Sequence, residues 1–179
     1  MNPIEIIRKY YQKGTDLYEI LMDHSFSVAY KSLHLARLHP EMNLDTDFIF
    51  DAAVLHDIGI FQTTEPKFHC FGEFPYICHG YLGYELLMAE GFPRHALVCE
   101  RHTGTGLSLQ RIIHDSLPLP HRDMQPQSLE EQLICFADKF FSKSRPGKEK
   151  KIEKIRKSLS KHGQEPVDKF DAWCRLFIG

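Results

Sequence analysis

No apolar run in this sequence approaches the roughly 20 residues that a membrane-spanning helix needs, and the first residues, Met1–Ile7, carry Glu5 without a long apolar core. Neither a membrane span nor a secretory signal is expected. The five cysteines (Cys70, Cys78, Cys99, Cys135, Cys174) are odd in number and include no Cys-x-x-Cys pair. That disfavours a disulfide framework and points to a reducing, cytoplasmic setting. Net charge is nearly absent, at −2, so nothing global suggests a membrane surface or a nucleic acid as partner. Internal repeats and alternating strand patterns are also missing. The one tryptophan, Trp173, reads as core packing.

A helical period dominates what is present. Leu17, Ile20, Leu21, His24, Val28, Leu35 and Leu38 share one face at i, i+3, i+4 spacing, and this helix should stop near Pro40. A second helix is predicted over 45–60, with Asp45 or Thr46 as its cap. Residues 61–75 read as a loop. A third helix is predicted over 75–90, ending at Gly91, and a fourth from Pro93 to the glycines at 104 and 106. Residues 104–127, with three prolines, read as an irregular excursion. Ser128 followed by Glu131 matches a capping box and predicts a helix through about Lys143. After Pro146-Gly147 come a basic helix (Ile152, Ile155, Leu159 inward) and a last one opened by Pro166, with Val167, Phe170, Trp173 and Phe177 on one side. At 179 residues, 42% hydrophobic and 26% charged, this is one ordinary domain, 1–179. Its fold class is all-α, a helical bundle with a ligand-bearing core over about 17–145 and C-terminal helices 147–179 packed on it.

Eleven histidines is a high count for this length. His56-Asp57 follows the apolar stretch Ala52–Leu55, so the doublet is at least partly buried. A buried aspartate must be paired or bind a metal. Neighbouring side chains in mid-helix point about 100° apart; at a helix end they can turn to one site, and Gly59 relaxes the backbone there. By itself the doublet equally suits a core histidine held by a carboxylate. However, His24 lies on the apolar face of its helix, and His79 and His102 fall in helices whose other inward residues are apolar. Asp138 follows Ile134-Cys135-Phe136-Ala137. Shared ligation explains all of them together better than separate core roles do.

Four imidazoles and two carboxylates without thiolate suit one or two divalent ions, Fe or Mn first, with Zn, Co, Ni or Mg as alternatives. Asp57 is central in the set and is the natural bridge between two ions, and the residue expected to be catalytic. Such a pair, about 3.5–4 Å apart, activates a water and clamps the oxygens of an in-line displacement.

The order His24, then His56-Asp57-Ile58-Gly59, then Asp138 resembles the HD-domain superfamily in its HDIG variety. The resemblance covers roughly 23–147, and the stretch 137–147 is similar to the end of the HD domain of ribonuclease Y. It implies an all-α fold with a central metal site, to which binuclear members add two histidines at the places of His79 and His102. Thr103 stands where many relatives have a further histidine, and the Gly-Tyr-Pro signature of cyclic-dinucleotide members is missing.

The expected function is hydrolysis of a phosphate ester or anhydride by metal-activated hydroxide. The expected partner is a small phosphorylated substrate such as a nucleotide or dinucleoside polyphosphate, without nucleic acid or membrane; a homodimer is possible. If Asp138 faces the metal, Ser142 (i+4) and Arg145 (i+7) share its helical face and are expected to bind substrate. Lys139 and Lys143 point to the side, and they, Arg101, Arg111, Lys67 and His69 are expected to be solvated. Residues 139–161 carry ten Lys or Arg against two Glu, leaving −10 for the rest of the chain. Such a run is ordinarily a solvated helix face; beside an anion site it makes a positive rim. The same six ligands also occur in mixed-valent di-iron oxygenases of this superfamily, and a non-catalytic, metal-stabilised module is the third alternative.

Overall fold

The computed structural model describes residues 2–179. Helix α1 (Pro3–Tyr10) begins where the Asn2 side chain accepts from the N–H groups of Ile4 and Glu5. The long α2 (Asp16–Leu38) is capped by Thr15, and α3 (Thr46–Leu55) by Asp45, which accepts from the Phe48 N–H at 3.0 Å. Then come α4 (His79–Ala89), α5 (Pro93–Arg101) and the short α6 (Leu109–His114). Helix α7 (Leu129–Asp138), α8 (Ile152–Leu159) and α9 (Glu165–Phe177) complete the chain. Helix α2 packs on α3 and α7, α4 lies along α5, and α9 covers α7.

Local chemistry sets several boundaries differently from the hydrophobic pattern. The second helix stops at Leu55 rather than continuing to residue 60. His56 and Asp57 lie at its C-terminal end, and Ile58–Gln62 form a 3₁₀ turn. Three groups hold the carbonyls released there: the His56 ring takes Ala53, the Cys99 thiol takes Leu55, and the Tyr11 hydroxyl takes Ile58 at 2.6 Å. Residues 63–75, read as a loop, contain a three-stranded sheet of order β2-β1-β3: β1 (Thr63–Glu65), β2 (Cys70–Phe71) and β3 (Phe74–Pro75). Strands this short show no alternation to detect. The third helix starts at His79, after a 3₁₀ turn at Tyr76–Cys78, and not at Pro75. Helix α7 ends at Asp138, five residues before the predicted Lys143. The capping box is half made: Ser128 accepts from the Glu131 N–H, while the Glu131 carboxylate goes to Gln127 N–H and to Arg101.

The 104–127 excursion is packed. Its Ile112, Leu119 and Met124 form a second small apolar cluster with Cys78 and Leu82. Arg122 ties it to α5 by donating from Nε to the buried Glu100 at 2.7 Å. The C-terminal helices are fixed by aromatics. Phe136 of α7 is fully buried and meets Phe170, Phe177 and Phe140 at ring-centre distances of 5.3, 5.6 and 5.0 Å. Trp173 joins this cluster and donates from Nε1 to Gln132 at 3.0 Å.

Phe136 is both the centre of this packing and two residues from Asp138. Phe136→Ala is expected to cost about 3–5 kcal/mol, read as a lower urea midpoint with an unchanged m-value. An unchanged midpoint would refute the assigned role of this cluster.

Candidate metal centre

Five helices deliver the six residues singled out in the sequence to one place. His24 comes from the middle of α2, His56 and Asp57 from the end of α3, and His79 from the first turn of α4. His102 follows the last residue of α5, and Asp138 ends α7. His24, His56, Asp57, His79 and His102 are buried. Ending α3 at the doublet matters: Asp57 takes φ −107°, ψ 11°, outside the helical region. That lets two consecutive side chains reach one site, which a continuing helix forbids.

Asp57 stands between two groups of ligand atoms. Its Oδ2 lies 3.1 Å from His24 Nε2 and 3.0 Å from His56 Nε2. Its Oδ1 lies 3.4 Å from His79 Nε2 and 3.5 Å from His102 Nε2. Asp138 Oδ1 completes the first group at 2.9 Å from His24 Nε2. In each triad, His24–His56–Asp57 and Asp57–His79–His102, the ligand atoms lie within 4.8 Å of one another. Ligands bound at about 2.1 Å around an octahedral ion stand about 3 Å apart, so these spacings match the edges of a coordination shell.

The histidines are oriented as metal ligands. Nδ1–H of His56, His79 and His102 donates to the carbonyl three residues earlier (Ala53, Tyr76, Cys99) at 2.6, 2.7 and 2.7 Å. A carbonyl only accepts, so Nδ1 carries a proton and Nε2 of each ring faces the centre; burial keeps His79 and His102 neutral, with Nε2 lone pairs there, while His56 must lose its Nε2 proton before it can ligate. His79 and His102 thus aim two lone pairs at each other across 3.1 Å, an arrangement that needs a cation. Among the described residues, His24 Nε2, His56 Nε2 and Asp57 Oδ1 are buried without a hydrogen bond. Buried polar atoms without partners are costly; ligation would satisfy all three. The donor set therefore fits the group it is expected to hold.

Charge follows the same geometry. Burial alone would raise the Asp57 carboxyl, but Lys143, with Nζ 2.5 Å from Oδ2, and His56 hold it well below the carboxylate range. Burial would likewise raise Asp138, and Lys139, with Nζ 2.9 Å from its Oδ2, outweighs that. Burial would lower His56, but Asp57 and Asp138 bring it up to about 9. His79 lies at the other side of Asp57, and burial pushes it down to about 3.

The residues expected to bind substrate are placed differently. Because α7 ends at Asp138, the helical spacing that aligned Ser142 and Arg145 with it does not apply. Ser142 borders the cleft over the centre, whereas Arg145 is exposed and outside its lining. Lys139 and Lys143, expected to be solvated, are the cations that reach the carboxylates. The positive run divides accordingly: Lys139, Lys143 and Lys150 line the cleft, and Lys148, Lys151, Lys154, Lys157 and Lys161 are exposed. Arg101 is committed to Glu131, and His69 faces Asp16. Sequence reasoning also missed Tyr76, whose ring stacks on His79 at 4.8 Å. The one available signal for the lysines was their position on either side of Phe140-Phe141-Ser142, just after the candidate ligand Asp138.

Gly59 also has a different task from the one expected. Its φ is not positive, so backbone freedom is not required there. A Cβ at residue 59 would fall 2.3 Å from the His79 carbonyl oxygen and 2.5 Å from Gly83 N. The glycine lets the turn after the doublet touch the start of α4, which holds His79 beside Asp57.

A helical bundle whose ends meet at a buried four-histidine, two-aspartate centre defines a metal-binding protein. A family profile, HD domain, matches residues 21–142, and this chain belongs to that family. Over 80% of both chains it is 32% identical to the uncharacterized protein MJ0778 of Methanocaldococcus jannaschii. It is 26% identical to the tRNA (cytidine(56)-2'-O)-methyltransferase of Thermoplasma volcanium, over 94% of this chain and 45% of that one. The enzyme of the same name from Picrophilus torridus is 27% identical over 74% of this chain and 35% of that protein. This chain thus spans less than half of either methyltransferase. No solved structure matches significantly.

Two outcomes are expected. Gly59→Ala displaces α4 and costs about 1–3 kcal/mol by overpacking, and elemental analysis should show metal content well below wild type; full content would refute the close-approach role. Metal uptake must expel the proton that His56 retains up to about pH 9. Apparent Mn2+ affinity, read by chelator competition, should therefore climb about ten-fold per pH unit from 7 to 9. A pH-independent affinity would contradict the proton assignment.

Proposed function

We propose that this chain hydrolyses a phosphate ester or anhydride at this centre, with a nucleotide or related small organophosphate as substrate. The observation that carries the reading is the placement of Lys139 and Lys143. The buried Asp57 and the partly buried Asp138 are already matched by two ammonium groups at the cleft. Any divalent ion added to that balance leaves the site positive, which suits a substrate bringing a dianion.

Bound ions would supply Lewis acidity toward phosphoryl oxygens and bring the pKa of a water toward neutrality; an imidazole-rich set with carboxylates suits Fe or Mn. Asp57 holds the two triads in register through its separate oxygens. His56, His79 and His102 keep Nε2 inward because Nδ1 is tied to backbone. The Asp57 carboxylate outweighs burial and keeps Lys143 protonated; Asp138 does the same for Lys139. Both ammonium groups stabilise charge on the equatorial oxygens during displacement. Ser142 is the neutral donor at the same cleft. In the net reaction a water oxygen bonds to phosphorus as the bond to the leaving oxygen breaks. The leaving oxygen keeps the bonding pair and takes up a proton. Family membership and the ligand geometry support this reading. The free thiols, four of five buried, fit a reducing cytoplasm.

The test is a screen of anaerobically purified protein, loaded with Mn2+ or Fe2+, against nucleoside phosphates and dinucleoside polyphosphates. Metal-dependent phosphate release is expected. Lys143→Met should lower kcat by about 100-fold without loss of metal. Oxygen consumption without phosphate release would instead favour the oxygenase alternative.

A further inference from the structure

Beside the cationic cleft lies a second cavity of about 280 Å³, walled by the 103–125 segment, Ile77 and the α8–α9 corner. The two are neighbours: Gly104, Leu159 and His162 border both, and Gly104 follows the ligand His102 by two residues. Their chemistry differs. The cleft presents Lys139, Lys143 and Lys150. The cavity presents Leu107, Leu117, Leu159 and Ile77; Arg111, Asp115 and Lys169 in its wall have protein partners, and the Glu165 carboxylate is exposed to solvent. Arg111 pairs with Asp115 and donates to the His162 carbonyl at 2.7 Å, and Lys169 donates to Gln125 at 2.9 Å.

Ligand pockets for whole small molecules run from about 300 to 1,000 Å³. This cavity is smaller, and the cleft beside it is about 330 Å³; each suits one part of a molecule. We propose that the cavity is the leaving-group subsite, which selects phosphate esters whose alcohol carries a flat apolar ring over esters of small alcohols. This rests on the hydrolase reading, with the phosphate in the cleft over Asp57 and the ring between Leu107, Leu117 and Leu159. An anion would meet cations already held by Asp115, the His162 carbonyl and Gln125, and the Glu165 carboxylate besides, whereas a ring would rest on the leucines and leave Glu165 in solvent.

The test compares 1-naphthyl phosphate with methyl phosphate in the Mn2+-loaded full chain. Wild type should show at least ten-fold higher kcat/KM for the naphthyl ester. Leu117→Trp, which fills the cavity, should reduce that ratio at least ten-fold. Leu107→Trp provides a second filling variant, and thermal melts show which variants remain folded. A wild type without preference, or folded variants that keep it, would overturn the subsite. If wild type cleaves neither ester, the nucleotide screen decides the hydrolase reading, and binding decides the subsite separately. Benzylphosphonate should then bind at least ten-fold tighter than methylphosphonate, with the difference lost in Leu117→Trp. Equal affinities in wild type would overturn it.

Discussion

An ionised carboxylate removed from water must be compensated on every side, or folding does not tolerate it. Asp57 has no exposure at all, and the groups that face it come from parts of the chain far apart in sequence: Lys143 beyond α7 pairs with it directly, while Nε2 of His24 on α2, His79 on α4 and His102 after α5 would share a cation with it. Each of those elements must therefore approach within hydrogen-bonding range of one side chain. The arrangement of the bundle follows from that demand. Small details serve it as well: the missing side chain at Gly59, the Cys99 thiol on the last α3 carbonyl, and the Tyr11 hydroxyl on Ile58.

Charge and packing are divided between the two halves of the molecule. The regular helices α2 to α5 and α7 hold the ligands rigidly. Residues 103–125 and the α8–α9 corner wall the neighbouring cavity, and the segment after α7 brings Lys143 to Asp57 and lines the cleft. The aromatic cluster around Phe136 joins these halves, since it fixes α9 to the same helix that ends in Asp138. The walls of the cavity and the six converging side chains thus lie on different segments.

Much of this centre was legible because buried charge stands out against an apolar pattern. His24, His79, His102 and Asp138 each interrupt a hydrophobic helix face, and the doublet at 56–57 follows Ala52–Leu55. The helices themselves were legible from period and caps, with Asp45 and Ser128 acting as read. Where helices stop was less legible, because ends are set by distant partners. Leu55 releases its carbonyl to a thiol forty-four residues away, and α7 ends once Asp138 has reached the centre.

The sequence by itself determined which residue types interrupt the core, and so the family, the helical class and the identity of the six converging side chains. Only the tertiary structure decided which oxygen of Asp57 faces which histidine, and that Lys139 and Lys143, not Arg145, serve the carboxylates. Only it placed an apolar cavity against the cationic cleft. The reason is range: helical periodicity is written over three or four residues, whereas the direction of a side chain beyond a helix end depends on contacts across the whole fold.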